Sequence, residues 1–208
     1  MNLNNGKTPI IFDFGGVLMD WDPLYLYRKL FDGDREAARS FLEEIGFHEW
    51  NAQQDAGRSF DEAVRLLCDR FPQHCGLIRA YHDRWEESIS GPIWPTVEIL
   101  HRLHAAGYPL YGLSNWSDEK FQIVRRRYGF FDCFEDIVVS GAVRLVKPDE
   151  RIFQVLLERV GLPARACLLI DDSEVNVAVA RRLDFDAIHF QSPDDLAAAL
   201  RGRGMLHD

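Results

Sequence analysis

The chain has 208 residues, 47% hydrophobic and 27% charged, with 33 acidic side chains against 24 basic ones, a formal net charge of −9. That length suits one domain, or one domain carrying a sizeable insertion, with enough apolar material for a core. The composition excludes disorder, collagen and coiled coil; no apolar run approaches a membrane span, and the acidic balance argues against a general nucleic-acid binder, which needs a basic surface.

Residues 1–9 are polar, with Asn2, Asn4, Asn5 and Lys7, and lack an apolar stretch before a small-residue cleavage site, so no signal peptide is expected. Residues 9–12 form a short apolar run that ends at Asp13 and reads as a strand buried on both faces. From 19 to 92 no buried strand is expected, only helical patterns at 23–31, 35–45, 59–71 and 76–88. A helix at 96–106 places Val97, Leu100 and Leu103 at three-residue spacing and stops at Gly107. A second strand, 108–113, runs into Ser114-Asn115. The helix at 117–128 ends in Arg125-Arg126-Arg127, which suits the negative end of a helix dipole better than an anion patch. Strands at 137–139, 167–170 and 187–190 run into Ser140, Asp171-Asp172 and Gln191. Helices are expected at 149–160 and 173–183, and Ser192 caps a last one with Pro193 at its first position.

Strands alternating with helices of this size give an α/β fold: a Rossmann-like three-layer core with a parallel sheet, plus an inserted helical cap. The expected division is 1–18 and 93–208 for the core and 19–92 for the cap. Most of the acidity falls in that insertion, which holds 15 acids against 9 bases. Cys68, Cys75, Cys133 and Cys167 form no CxxC pair and are expected as buried free thiols in a reducing cytoplasm. His101 and His104 share a helix face but have no third ligand, so they read as surface or packing residues, not a zinc site.

Ligands of open parallel sheets bind beyond the carboxyl ends of the strands, at the switch in strand order. The residues there are Asp13, Ser114, Asn115, Asp171 and Asp172. Converging carboxylates are costly unless a cation lies between them or one is protonated. A hard divalent cation such as Mg²⁺ fits, because it takes oxygen ligands and keeps waters for a phosphorylated substrate.

Four segments then carry a resemblance. Ile10-Ile11-Phe12-Asp13-Phe14-Gly15-Gly16-Val17-Leu18, Leu113-Ser114-Asn115, Val146-Lys147-Pro148-Asp149 and Leu169-Ile170-Asp171-Asp172-Ser173-Glu174-Val175-Asn176 occur in this order. They resemble the four motifs of the haloacid dehalogenase (HAD) superfamily, subfamily IA type, whose helical cap falls where the insertion lies here. The resemblance implies a Mg²⁺-dependent phosphohydrolase of a small phosphorylated metabolite. Asp13 would be the nucleophile that forms an aspartyl phosphate, and Ser114 would hold a phosphoryl oxygen with Asn115 in support. Lys147 would stabilise the transferring group. Asp13, Asp172, the Gly15 carbonyl and Asp171 would hold the metal, and Asn176 could return to the site one helical turn later. Trp116 and Trp21 would border the entrance, and Arg28, His48, Trp50, Arg58, Arg84 and Trp85 are candidate substrate contacts from the cap. The expected assembly is a monomer or homodimer in the cytoplasm.

One position departs from the family pattern. The general acid/base aspartate expected two residues after the nucleophile is Gly15, and such a group typically contributes a factor of about 10² to 10⁴ in rate. A subgroup of sugar-phosphate phosphatases, including one acting on glucose 1-phosphate, is similar in having glycine there and an acidic D-x-D shortly after, here Asp20-Trp21-Asp22. The same two aspartates also read as a hinge turn and a helix cap before Pro23. Two other functions stay open: a 2-haloacid dehalogenase, which uses no metal and typically carries an aromatic residue at position 15, and a catalytically impaired protein that binds a ligand or partner.

Overall fold

The computed structural model describes residues 6–207; the reading of the N-terminal stretch as lacking a signal peptide falls largely on residues outside that range. The chain opens with β1 (Ile10–Phe12) and β2 (Met19–Trp21). Next come α1 (Pro23–Leu30), α2 (Arg35–Glu44), α3 (Phe47–Asp55), α4 (Phe60–Arg70) and α5 (Cys75–Asp83), then β3 (Ile89–Pro92). The rest alternates: α6 (Trp94–Ala105), β4 (Leu110–Ser114), α7 (Asp118–Arg127), β5 (Asp136–Val139), α8 (Ser140–Val143), α9 (Glu150–Val160), β6 (Leu168–Asp171), α10 (Glu174–Arg182), β7 (Asp186–His189) and α11 (Pro193–Gly202).

The main sheet has the order β5-β4-β1-β6-β7, and every pair is parallel. Its strands carry apolar side chains on both faces because helices cover both. Ile10, Phe12, Leu168 and Ile170 share one core with Val97 and Leu100 of α6 and Leu196 and Leu200 of α11. Their neighbours Ile11, Leu113 and Leu169 share the other with Phe153 and Leu156 of α9 and Val177 of α10. The period-2 alternation of a strand thus assigns each residue to one of the two outer layers. The chain runs from β1 outward through β4 to β5, then returns to β6 on the other side of β1. That reversal puts the ends of β4, β1 and β6 side by side at the switch point.

Two expectations are corrected between residues 19 and 92, helical patterns alone and free thiols. No strand there is buried along its length, but β2 and β3, partly exposed, pair antiparallel, Met19 opposite Pro92, and bring the two ends of the helical segment together. They are three and four residues long, and Met-Asp-Trp and Ile-Ser-Gly-Pro lack the apolar run that marks the others. Cys68 and Cys75 are bonded to each other, leaving Cys133 and Cys167 as the free thiols among the described residues. The chain reverses at Phe71-Pro72 between α4 and α5 and brings the two Cα atoms to 4.7 Å, which is why seven residues of separation suffice.

The helical segment packs around aromatic rings that are continuous with the first of these cores. The Tyr27 ring lies 5.0 Å from Phe41 and 6.2 Å from Tyr81, while Tyr81 meets Phe47 edge-on at 4.9 Å. Among the described residues, no helix is long and apolar enough to cross a membrane.

Candidate active site

Asp13 leaves the end of β1 in a rigid turn. Its N–H donates to the Ile170 carbonyl at 2.9 Å, continuing the register with β6, and the N–H of Phe14 donates to Asp13 Oδ1 at 2.7 Å. The N–H groups of Leu18 and Met19 both converge on the Phe14 carbonyl at 2.8 Å. Beneath the turn, the Phe14 ring packs over Gly112 of β4, where any Cβ would strike it, and stacks 5.7 Å from Phe121. Gly16 has φ +71°, and a Cβ on it would overlap the Asp172 carboxylate, so both the backbone and the neighbour require glycine there.

Asp171, at the end of β6, is wholly buried and fully engaged. Lys147 Nζ donates to its Oδ2 at 2.6 Å, while Ser173 N–H and Asn176 Nδ2 donate to its Oδ1 at 2.9 and 3.0 Å. Lys147 Nζ also lies 3.1 Å from Asp13 Oδ2, so one ammonium bridges two carboxylates. Asn115 grips the Lys147 backbone from both sides: it accepts from the Lys147 N–H at 2.8 Å and donates to the Lys147 carbonyl at 2.9 Å. Ser114, buried at the end of β4, hydrogen-bonds Asp13 through its hydroxyl.

The electrostatics follow from this crowding. Burial pushes the Asp13 carboxyl up to about 6; Lys147 opposes the rise, and the charges of Asp171 and Asp172 add to it. Asp172 is also raised, by burial and then by Asp171. Burial works against the Lys147 ammonium, but Asp13 and Asp171 outweigh it and hold its proton more tightly than usual. Oxygens of Asp13, Asp171 and Asp172 lie within 4.8 Å of one another. Three carboxylates facing one fixed cation leave a negative excess on an all-oxygen donor set, which suits a hard divalent cation.

An open cleft is lined by Asp13, Gly15, Trp21, Ser114, Asn115, Lys147 and Asn176, so most of the motif residues meet in one place. Trp116 is elsewhere: it is buried against Trp85 and Phe121, and its N–H donates to Ser140 Oγ at 2.9 Å. It lines a second cavity that adjoins the cleft through Gly15, Trp21 and Asn115. Asp22 caps α1 by accepting from the Leu24 N–H at 2.8 Å, and Asp20 accepts from the Tyr25 hydroxyl at 3.0 Å, so the D-x-D is engaged structurally. Of the candidate contacts from the insertion, Trp85 lines the second cavity. Trp50 donates from its ring to the Ala63 carbonyl, Arg58 binds Gln53 and Gln54, and Arg84 binds Glu87; with Arg28 and His48, they line neither space. Sequence reasoning missed Asn51, Asp55, Phe60 and Tyr81, which complete that cavity. They belong to no motif, and two of them come from α3, a helix whose mixed residues Phe-His-Glu-Trp-Asn-Ala-Gln-Gln-Asp hide its apolar face.

Comparison with known proteins agrees with this geometry. Residues 10–184 match a family model described as haloacid dehalogenase-like hydrolase. The chain is 24% identical over 197 residues to a sesquiterpene phosphatase of Aspergillus oryzae, covering 94% of this chain and 95% of that protein. It is also 24% identical over 194 residues to a drimenol cyclase of Aspergillus calidoustus, covering 92% of this chain but spanning 35% of that longer protein. Among solved structures, a HAD family enzyme of Bacteroides thetaiotaomicron in complex with magnesium and inorganic phosphate superposes with a TM-score of 0.71 at 24% identity, over 94% of this chain and all of that one.

Proposed function

Because the chain belongs to the haloacid dehalogenase-like hydrolases, we propose that it is a magnesium-dependent phosphomonoester hydrolase that acts on a small phosphorylated metabolite through an aspartyl phosphate on Asp13. The observation that carries the reading is the triad at the strand ends, in which Lys147 lies between Asp13 and Asp171 at 3.1 and 2.6 Å. In that arrangement an Asp13 oxygen faces the open cleft as nucleophile. Lys147 keeps Asp13 ionised and places a fixed positive charge where the phosphoryl oxygens develop theirs, with no reorganisation during the reaction. Ser114 donates to the same region, and Asn115 sets the height of Lys147 through its two backbone bonds. Asp13, Asp172 and the Gly15 carbonyl, with Asp171 behind them, would hold Mg²⁺, which supplies charge neutralisation for an anionic substrate. The overall acidity of the chain does not oppose a phosphorylated substrate, because the positive charge is local.

The sesquiterpene phosphatase relative and the phosphate complex of the Bacteroides enzyme support phosphate ester chemistry. Gly15 and the three-carboxylate cluster support it as well. A sugar phosphate is the substrate class this reading favours, since the ring of Trp21, which lines the cleft, suits the face of a sugar. The helical segment 19–92 then acts as the cap over the cleft. A cytoplasmic location completes the reading.

The test is phosphate release from a panel of phosphorylated metabolites with Mg²⁺ and with EDTA. Wild-type turnover is expected with Mg²⁺ alone, and Asp13→Asn is expected to lower it at least about a thousandfold, as removal of a nucleophile does. Turnover in EDTA, or an Asp13→Asn protein that retains it, would overturn the proposal.

A further inference from the structure

Position 15 cannot supply a proton, yet the cavity beside it contains a carboxyl. A Cβ built on Gly15 meets nothing within 4 Å, and the residue borders the space lined by Trp21, Asn51, Asp55, Phe60, Tyr81 and Trp116. Gly15, Trp21 and Asn115 line both that cavity and the cleft that contains Asp13. Among the described residues Asp55 is the one carboxylate lining the cavity, and it arrives from the insertion rather than from the sheet.

Asp55 is also held in place from the core. The Ser140 hydroxyl donates to the Asp55 carbonyl at 2.6 Å and accepts from the Trp116 N–H at 2.9 Å, joining the end of α3 to the loop after β4. The Ser117 N–H bonds the Asp55 carboxylate, and Asn51 Nδ2 approaches its Oδ2 at 3.4 Å. The side chain therefore lies beside the loop that follows Ser114 and Asn115, in the cavity that Gly15 also lines.

We propose that Asp55 is the general acid and base of the reaction, supplied by the helical insertion in place of a carboxyl at position 15. The proposal rests on the phosphatase reading above. In the first step an Asp13 oxygen bonds to phosphorus, the bond from phosphorus to the ester oxygen breaks, and the Asp55 proton passes to that oxygen to release an alcohol. In the second step water attacks the aspartyl phosphate and gives a proton to the Asp55 carboxylate. The bond from phosphorus to Asp13 breaks, which frees inorganic phosphate and restores both aspartates. Burial in the aromatic cavity pushes the Asp55 carboxyl up to about 7, with the Ser117 N–H opposing, so both protonation states are populated near neutrality. The titratable group that shares the cavity, Tyr81 of α5, has its phenol pushed upward by burial and stays neutral there.

The experiment is pre-steady-state hydrolysis of 4-nitrophenyl phosphate by the full chain with Mg²⁺. Nitrophenolate leaves without a proton, so only the second step needs Asp55. The Asp55→Asn protein is expected to show a burst of nitrophenolate at a rate within about threefold of wild type, a steady-state rate lower by roughly 10² to 10⁴, and phosphate trapped on Asp13 by acid quench. The burst amplitude counts folded sites, so a protein that has lost its fold reveals itself. Asp55→Asn combined with Gly15→Asp is expected to recover the steady-state rate to within about tenfold of wild type, because Gly15 borders both the cavity and the cleft and has open space for a carboxyl. An Asp55→Asn steady-state rate within threefold of wild type would overturn the proposal, as would burst and steady state falling together without rescue by Gly15→Asp. Absence of Mg²⁺-dependent turnover in wild type would instead overturn the phosphatase reading.

Discussion

Replacing Lys147 by methionine tests the electrostatic design of the site without removing its nucleophile. The methionine keeps an unbranched chain of similar length in a closely packed position, so the packing loss is small. What disappears is the ammonium 2.6 Å from Asp171 and 3.1 Å from Asp13, in a side chain only 4% exposed. Removing one partner of a buried ion pair typically costs about 3–5 kcal/mol, because the remaining charge is left uncompensated. For a chain of this size each kcal/mol moves the melting temperature by about 2–4 °C, so a fall of roughly 6–20 °C is expected by differential scanning calorimetry without metal. The effect has a pH signature. Asp13 already titrates above its ordinary range, and losing Lys147 raises it further. A carboxyl raised in the folded state costs no stability below its unfolded value and an increasing amount as pH climbs through the folded one. The gap between wild type and Lys147→Met should therefore widen from pH 5 to pH 8, and Mg²⁺ should narrow it. A fall of less than about 3 °C, or a gap that narrows as pH rises, would refute the claim that Lys147 holds these carboxylates together.

Two further outcomes are expected. Titrating the metal-free protein with Mg²⁺ at pH 6 should release protons, because the Asp13 carboxyl sits at about 6 and must be ionised to hold a cation, and the release should vanish at pH 8. Calorimetry in two buffers of different ionisation enthalpy measures this, and equal heats at pH 6 would contradict it. Reduction of Cys68–Cys75, or its replacement by serines, opens a loop seven residues long. The chain-entropy relation gives about 2–2.5 kcal/mol for that loop. A melting temperature lower by roughly 4–10 °C is therefore expected, and an unchanged one would show that the bond does not restrain the unfolded chain.

The sheet and its chemistry were legible for the same reason. Ile-Ile-Phe before Asp13 and Leu-Leu-Ile before Asp171 are buried on both faces, so they read as uninterrupted apolar runs, and the polar residue that ends each run lies on the binding edge. The insertion was only partly legible. The pattern at 23–31 and 35–45 matches α1 and α2, but α3 escaped detection because Phe47 and Trp50 are its large apolar residues and the rest of its face is polar. The Cys68–Cys75 bond depends on how two helices pack after a turn, which spacing does not fix. In the sequence Ser140 only marks the end of a strand; its hydroxyl joins the insertion to the core, a contact across 85 residues of sequence.

Gly15 shows most clearly what the third dimension adds. In the sequence it is a missing carboxyl. In the structure it is also an opening: nothing stands within 4 Å of the Cβ it lacks, and the space continues into a cavity closed by residues of the insertion. A side chain at 15 would enter open space at the border that the cavity of Asp55 shares with the cleft. The absence at position 15 and the presence of Asp55 are therefore linked by geometry. A carboxyl reaching the site from the insertion can act only when the insertion is seated on the loop after β4, through Ser140 and Ser117. Proton transfer would then be coupled to closure over bound substrate, whereas a carboxyl at position 15 is present in the open state as well.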